Sequence, residues 1–205
     1  DVFNLETKLF PCLVDMRFKG VRVDLEHAAK LKKNLIVREN KILSKIKELT
    51  GIDVEIHAAR SIAKAFDKLK LPYDRTEKSN EPSFTKNFLQ NHPHELAKSI
   101  ADAREINKAH TTFIDSITKH SHDGRIHADI NQIRSDQGGT VTGRFSMSNP
   151  NLQQIPARHP EIGPMIRSIF IPEEKTVWGS FDYSQQEPRI LVHYAKLQNL
   201  EGVDE

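Results

Sequence analysis

Cysteine is nearly missing from this 205-residue chain. A single thiol, Cys12, excludes an internal disulfide and offers no second thiolate for a zinc site, so a reducing, intracellular setting is expected. No run approaches the ~18 consecutive apolar residues of a membrane span. The start, Asp1-Val2-Phe3-Asn4, has neither an initiator Met nor the basic and apolar segments of a secretion signal. The sequence thus reads as a soluble piece that begins within a longer protein. Apolar residues are scarce as well, at 37% with one Trp, against roughly 45–50% in a typical globular chain. A core thin for the length follows. At about 150 residues per domain, the length allows one large domain or one domain with an appendage, and no internal repeat or low-complexity segment is present.

What is there is an uneven distribution of charge. The net charge is +2, yet residues 26–50 hold seven Lys/Arg against three acids, and residues 56–125 hold twelve against nine. Residues 171–205 reverse the balance, with three against seven. A polyanion could lie along the basic part and divalent cations could gather at the acidic end. A solvated helical surface would produce the same pattern.

The first half reads as helices. Asn4 is placed to cap a segment through Leu5, Leu9, Leu13 and Val14, kinked at Pro11 and ended by Gly20. Asp24 caps a longer helix with apolar residues at Leu31, Leu35, Ile42, Ile46 and Leu49, stopped at Thr50-Gly51; Lys30, Lys33, Arg38, Lys41 and Lys45 form its basic face. Ile62, Phe66 and Leu69 mark a third helix ended by Pro72, and the polar run from Asp74 to Ser83 reads as a loop. Beyond Pro93 a long helix runs through Leu96, Ile100, Ala103, Phe113 and Ile117, with polar residues interrupting its middle turns. The sum is a helical hairpin with a basic tip.

From His120 the period changes. Ile126, Ala128 and Ile130 alternate with polar residues as in a half-buried strand, and Gly138-Gly139 interrupts it. Ser168–Ile171 and Thr176–Phe181 are β-prone runs that suggest a hairpin around Pro172. Asp182 then sits at a strand end facing a helix start, where Ser184 and Glu187 have capping-box spacing and Pro188 falls in the first turn. By position alone Asp182 is either a turn residue or a ligand.

Longer motifs bear on that choice. Asp182-Tyr183-Ser184-Gln185-Gln186-Glu187-Pro188-Arg189 resembles motif A of the family A DNA polymerases, matching six of the eight positions of DYSQIELR. Upstream, residues 142–156, from Thr142-Gly143-Arg144 through Pro150-Asn151-Leu152-Gln153-Gln154-Ile155-Pro156, resemble the TGRLSSSDPNLQNIP signature of the same family. Gly163 to Phe170 is similar to the GxxIRxxF link between the two, Val21-Arg22-Val23-Asp24 to the opening before the thumb, and Arg75-Thr76-Glu77-Lys78 to the KTEK turn at the thumb tip. The likeness covers nearly the whole chain, most strongly from Thr142 to His193.

The resemblance implies that Asp182 is one of two carboxylates holding two catalytic Mg2+ ions, with the Tyr183 carbonyl as a further ligand. Two-metal phosphoryl transfer needs such hard oxygen donors. It implies that Glu187 fills the space of a ribose 2′ hydroxyl and so selects deoxynucleotides, beside its reading as a capping residue. Arg144 would reach the minor-groove edge at the primer terminus, where acceptors are common to all base pairs. Asn151, Gln153 and Gln154 would add amide contacts, and Arg75 and Lys78 would track phosphates. Catalytic weight thus falls on Asp182, Glu187 and Arg144, and the implied partners are primer-template DNA and a dNTP.

Some positions depart from the family pattern. Gln186 and Pro188 replace apolar residues of motif A, a phage-like variation. His122-Asp123 precedes motif A and reads as a turn rather than as motif C. His92/His94 and His120/His122 lack further ligands at metal-site spacing and read as solvated loop histidines. No basic RxxxK segment with an aromatic and a YG follows Asp182, and no motif C with the second aspartate is found. A segment carrying the fingers and the rest of the palm is therefore an expected partner, and the chain alone is expected to be inactive.

The expected architecture is α+β: a connecting helix over 1–23, a helical thumb over 24–125, and over 126–205 the first part of a mixed or antiparallel palm sheet. The expected activity is template-directed DNA synthesis in the cytoplasm of a bacterial or phage-infected cell. The alternatives are a non-catalytic DNA-binding fragment and a relative of the phage-type RNA polymerases, the latter disfavoured by Glu187 and the 142–156 signature.

Overall fold

The computed structural model describes residues 2–136, 138–157, 159–199 and 202. The acids Asp1, Glu201, Asp204 and Glu205, the first opening the amino terminus and the others part of the acidic tail, lie outside the described residues. The chain is a mixture of helix and sheet that divides into two units, Asp1–Ile171 and Pro172–Glu205.

In the first unit, α1 (Val2–Lys19) contains Pro11 and begins ahead of Asn4, which is therefore an interior helical residue and not its cap. Leu13 is the residue it buries. The helix stops at Gly20, whose N–H donates to the Met16 carbonyl at 3.0 Å. Gly20 has φ +64°, and a Cβ there would lie 2.7 Å from the Ile126 carbonyl. Only glycine meets both the left-handed turn and the close approach of the next layer. That layer is a three-stranded antiparallel sheet of order β1-β5-β4, with β1 Val21–Arg22, β4 Ser121–His122 and β5 Arg125–Ile126. Its register sets Val21 and Ser121 opposite Ile126. Asp123 and Gly124, both at positive φ, form the two-residue turn between β4 and β5, as strand twist requires.

Between these strands runs the helical part. Asp24 caps α2 (Leu25–Thr50), accepting from the His27 N–H at 2.8 Å, and Gly51 closes it at φ +67°. Next come α3 (Ala59–Lys68), α4 (Lys86–Asn91) and α5 (Glu95–Lys108), then a π-helical turn (Ala109–Ile114) and α6 (Asp115–Lys119). The polar run at 74–83 is not a plain loop: β2 (Asp74–Arg75) pairs antiparallel with β3 (Pro82–Ser83). The π turn falls where polar residues interrupt the pattern of the long helix. One extra residue per turn there places His110 against α2, where its Nε2 lies 2.5 Å from the Glu39 carboxylate with both residues buried. Asn107 donates to the other Glu39 oxygen at 2.9 Å.

Two apolar clusters fill this unit. Ala28, Leu31 and Leu35 of α2 join Ile106, Ile114, Ile126, Ile162, Ile166 and Ile169 in one. Ile46 joins Ile62, Phe66, Phe84, Leu89, Leu96 and Ile100 in the other. The two ends of α2 thus serve different cores, α5 serves them in the opposite order, and Ile42 packs against both. The histidines that read as solvated loops are partly recruited: His92 packs against Phe66 and Phe88, and the His94 ring caps α5 by accepting from the Leu96 N–H.

The expected single strand at 126–131 splits. Ile126 ends β5, whereas Asp129–Asn131 is β6, paired antiparallel with β7 (Ser146–Ser148). The break is at His127, whose Nδ1 contacts the Arg17 carbonyl at 2.8 Å. After β7 come a 3-10 turn (Leu152–Gln154) and α7 (Ile162–Arg167). Phe170 makes an isolated bridge to Val23, and the Ile171 N–H donates to the Arg22 carbonyl at 3.1 Å. The second unit departs most from expectation. Thr176–Phe181 forms no strand and stands open, with Phe181 97% exposed. Strand propensity alone does not make a strand without a hydrogen-bonded partner, and no strand is paired among the described residues of 172–199. Its regular element is α8 (Gln186–Leu197).

Phe66 is fully buried among Tyr73, Phe84, Phe88 and His92. Phe66→Ala is expected to lower stability by about 3–5 kcal/mol in chemical denaturation, through lost burial and a cavity. Phe181→Ala is expected to change it by no more than about 0.5 kcal/mol, as for an exposed position.

Candidate functional site

The residues singled out by sequence fall into three places. Arg144, Asn151, Gln153 and Gln154 share one loop system mounted on β6 and β7. The Asn131 side-chain amide reaches the Ser148 hydroxyl at 3.2 Å, the Gly139 N–H donates to the Ser146 hydroxyl, and the Thr140 hydroxyl donates to the Arg144 carbonyl at 2.7 Å. Arg144 stands exposed on this turn. The Asn151 carboxamide oxygen accepts from the Gln153 N–H at 3.1 Å and so starts the 3-10 turn, while Gln153 Nε2 donates to the Phe145 carbonyl at 3.1 Å. Asn151 and Gln153 therefore first shape the loop, bringing its two arms together beside Arg144, and Gln154 stands exposed at the end of the turn. A crevice lined by Phe113, Ser116, Pro150, Leu152, Gln154 and Ile155 separates this turn from the π turn and α6.

The anchor of the loop is a residue that sequence reading passed over. The Asp129 carboxylate accepts from Asn149 Nδ2 at 2.9 Å and from Arg17 Nε at 2.7 Å, tying the loop to β6 and to α1. The Asn149 hydrogen bond, with Arg17 behind it, holds Asp129 below the usual carboxylate range. Arg17 and Asp129 are 112 positions apart. No local spacing signals the pair, and Asp129 looks like the polar partner in an alternating strand.

Arg75 and Lys78 occupy a second place, the β2–β3 hairpin on the other core. Arg75 donates to the Asn80 carbonyl at 2.8 Å and its guanidinium lies 5.5 Å from the centre of the Tyr73 ring. It staples the hairpin; with five N–H donors it retains capacity for an anion. Lys78 is exposed at the tip. The basic face of α2 is thinner than its sequence suggests. Arg38 forms a forked pair with Glu161, at 2.5 and 3.1 Å, and Lys45 pairs with Glu95, whereas Lys30, Lys33 and Lys41 stand exposed.

Asp182, Tyr183 and Glu187 lie in the second unit, all exposed. The capping box is not formed. Gln185 holds the N-cap place at φ +52° without a side-chain cap bond, and the Ser184 carbonyl instead accepts from Arg189 Nε at 2.9 Å. Helix α8 begins one residue later than the spacing of Ser184 and Glu187 would need. Asp182 and the Tyr183 carbonyl offer hard oxygen donors of the right kind for Mg2+. Among the described residues, however, no three ligating side chains converge, so these residues alone do not build a two-metal site.

The profile of DNA polymerase family A matches residues 25–203. A DNA-directed DNA polymerase of Pseudomonas phage M6 is 36% identical over 206 residues, covering 96% of this chain and 31% of the phage protein. The thermostable DNA polymerase I of Thermus aquaticus is 33% identical over 203 residues, covering 96% of this chain and 24% of its own length. Among solved structures, the POL domain of Pol1 from M. smegmatis, in complex with DNA primer-template and dNTP, superposes with a TM-score of 0.72 at 26% identity. That match covers 90% of this chain and 32% of the mycobacterial one. The chain belongs to DNA polymerase family A. It spans about a third or less of the length of these relatives. No described helix is long and apolar enough to cross a membrane.

Because the folded pKa of Asp129 is depressed, its support of the loop is complete above the unfolded value of ~3.9 and is lost as pH falls through the lower folded value. The side-chain amide resonances of Asn149 are expected to collapse toward the free position over that acid range. In Asp129→Ala they are expected to be there already at neutral pH.

Proposed function

We propose that this chain supplies the DNA-gripping helices and one half of the catalytic centre of a template-directed DNA polymerase. The observation that carries the proposal is the order and spacing of two motifs, the Arg144–Gln154 loop and the Asp182–Arg189 segment, in a chain whose fold follows a polymerase domain over most of its length. On this reading residues 24–125 are the thumb, and the pairing of β1 with β5, which joins the two ends of that stretch, favours it. Residues 1–23 are the connecting segment, and residues 126–205 begin the palm.

The roles follow from the chemistry. Arg144 projects from a turn stapled on both arms and contacts the minor-groove edge at the primer terminus, where acceptors shared by all base pairs permit checking without sequence choice. Gln154, with the amides of Asn151 and Gln153, extends the same contact to the backbone. Arg75 and Lys78, with Lys30, Lys33 and Lys41, lie along phosphates. Asp182 and the Tyr183 carbonyl would hold divalent magnesium in the complete polymerase. Bound there, the metal would supply Lewis-acid activation of the primer hydroxyl and charge neutralisation at the departing oxygen. Glu187, in the first turn of α8, occupies the volume beside the sugar that a 2′ hydroxyl would need.

The second aspartate and the cations for the triphosphate would come from a segment outside this sequence. Val177, Trp178, Phe181, Tyr183, Leu191, Tyr194 and Leu197 are exposed on the second unit, apolar and aromatic surface suited to being covered by that segment.

Fluorescence anisotropy is expected to show weak duplex binding without sequence preference, with a log–log salt slope of about −0.9 per phosphate neutralised. Arg75→Ala with Lys78→Ala is expected to flatten that slope by about two phosphates' worth. An absence of binding at low salt would leave only a solvated basic surface.

Primer extension tests the catalytic half. The 205-residue chain is expected to add no nucleotide alone. Magnesium-dependent synthesis is expected on adding a separately expressed fingers and C-terminal palm segment of a phage relative, and Asp182→Ala is expected to abolish it. In that assembly Glu187→Ala is expected to admit ribonucleotides. A chain that binds DNA yet is never complemented would be a non-catalytic DNA-binding piece, and a preference for ribonucleotides before mutation would point to the RNA polymerase relatives.

A further inference from the structure

The stretch between the 3-10 turn and α7 is held by one side chain that makes two different demands on its own protonation. The chain after Gln154 lies flat on the start of α7: a Cβ on Gly163 would come 3.2 Å from the Pro156 carbonyl and 3.4 Å from that of Ala157. The 152–157 turn therefore goes where α7 goes. His159 Nδ1 lies 2.9 Å from the Ile162 N–H nitrogen and 3.2 Å from that of Glu161. Both are donors, so Nδ1 must be the bare, accepting nitrogen. Its proton is then on Nε2, which donates to Glu105 of α5 at 2.9 Å. The ring joins the N-terminus of α7 to α5 in the neutral Nε2–H form alone, since the imidazolium has N–H groups on both sides and no acceptor.

The groups facing the ring come from four elements. Asp102 and Glu105 are on α5, Arg38 on α2, Lys86 on α4, and Glu161 lies beside the ring on its own segment. Glu105 also pairs with Lys86 at 2.9 Å and Glu161 with Arg38. Burial works against ionisation of Glu105, but Lys86 and His159 outweigh it and keep its carboxyl below the usual range. Desolvation and the neighbouring Glu105 push Asp102 up.

We infer that His159 is a positioning residue for the Arg144–Gln154 loop, a proton-sensitive tie that holds the turn on α7 in register with the α2–α5 helix pair while neutral and lets it go once Nδ1 is protonated. Acidification keeps the link to Glu105 and severs the one to α7. Where DNA enters, the inference rests on the reading under Proposed function.

The test uses the 15N-labelled chain. Long-range proton–nitrogen correlations are expected to show His159 as the neutral Nε2–H tautomer near pH 8. On titration to about pH 5, the range in which histidine changes charge, the amides of residues 152–157 and of Ile162 are expected to shift with the midpoint of the ring. His159→Asn keeps a short oxygen acceptor for the Ile162 amide, as asparagine does at helix starts, but cannot span to Glu105; it is expected to fold and to lose that pH dependence. Glu105→Gln retains an acceptor for Nε2–H and is expected to preserve the coupling between the ring and the loop amides. Duplex binding, which added charge on histidines would otherwise strengthen, is expected to weaken severalfold on acidification in the parent chain and not in His159→Asn. Loop amides that ignore the ring titration, or that titrate alike in His159→Asn, overturn the inference. If the parent chain binds no duplex at any pH, the nucleic-acid reading fails, and the amide shifts alone still decide the role of His159.

Discussion

The antiparallel packing of α2 on α5 is the contact on which the rest of the first unit depends. With few apolar residues to spend, the chain builds two separate cores and uses the same two helices in both. Leu31 and Leu35 meet Ile106 at one end, Ile46 meets Leu96 and Ile100 at the other, and Ile42 touches both clusters. Polar groups are placed to fix that pairing rather than to dilute it. The buried Glu39–His110 contact, with Asn107 on the second carboxylate oxygen, sits where the two clusters meet and coincides with the π turn. A buried carboxylate is tolerable only with hydrogen-bond partners of this kind, so the local irregularity of the helix is the means by which the partners are delivered.

From this frame the loop bearing Arg144 is supported at separate points. Asp129 holds it through Asn149 and Arg17, Gln153 closes its arms at the Phe145 carbonyl, and His159 with Glu161 ties its far end to α5 and α2. An exposed arginine on a mobile loop would pay side-chain and backbone entropy on binding; one on a loop braced in this way pays less. The contrast with the second unit is chemical. Asp182, Tyr183 and Glu187 stand exposed among apolar neighbours, and α8 starts without a side-chain cap. A carboxylate intended for a metal ion gains from a fixed surround of donors, and this sequence holds only part of that surround.

The basic character of the helical part is also revised by the fold. Of the cations on the face of α2, Arg38 and Lys45 are committed to Glu161 and Glu95. Exposed pairs of this type add little stability, but they alter the electrostatic surface. On α2 the exposed positive face contracts to Lys30, Lys33 and Lys41, and the hairpin adds Arg75 and Lys78.

Much was legible in the residues themselves. The caps at Asp24 and Gly51, the 3.6-residue apolar period of α2 and the Asp123-Gly124 turn act within a few positions, so the sequence determined them directly. The motifs at 142–156 and 182–189 gave the family for the same reason: their chemistry is written in consecutive residues. Other features were settled by contacts between residues far apart in the chain. The π turn is set by Glu39 across 71 positions, the Asp129–Arg17 tie spans 112, and the Arg38–Glu161 pair 123. Propensity at Thr176–Phe181 promised a strand that no partner completes, and the spacing at Ser184 promised a cap that the backbone turn at Gln185 displaces. Local sequence determined the caps, turns and motifs, because each is satisfied by its own neighbours. Only the tertiary structure decided which charges are paired and which histidines bear loads, because those outcomes need partners that no local pattern contains.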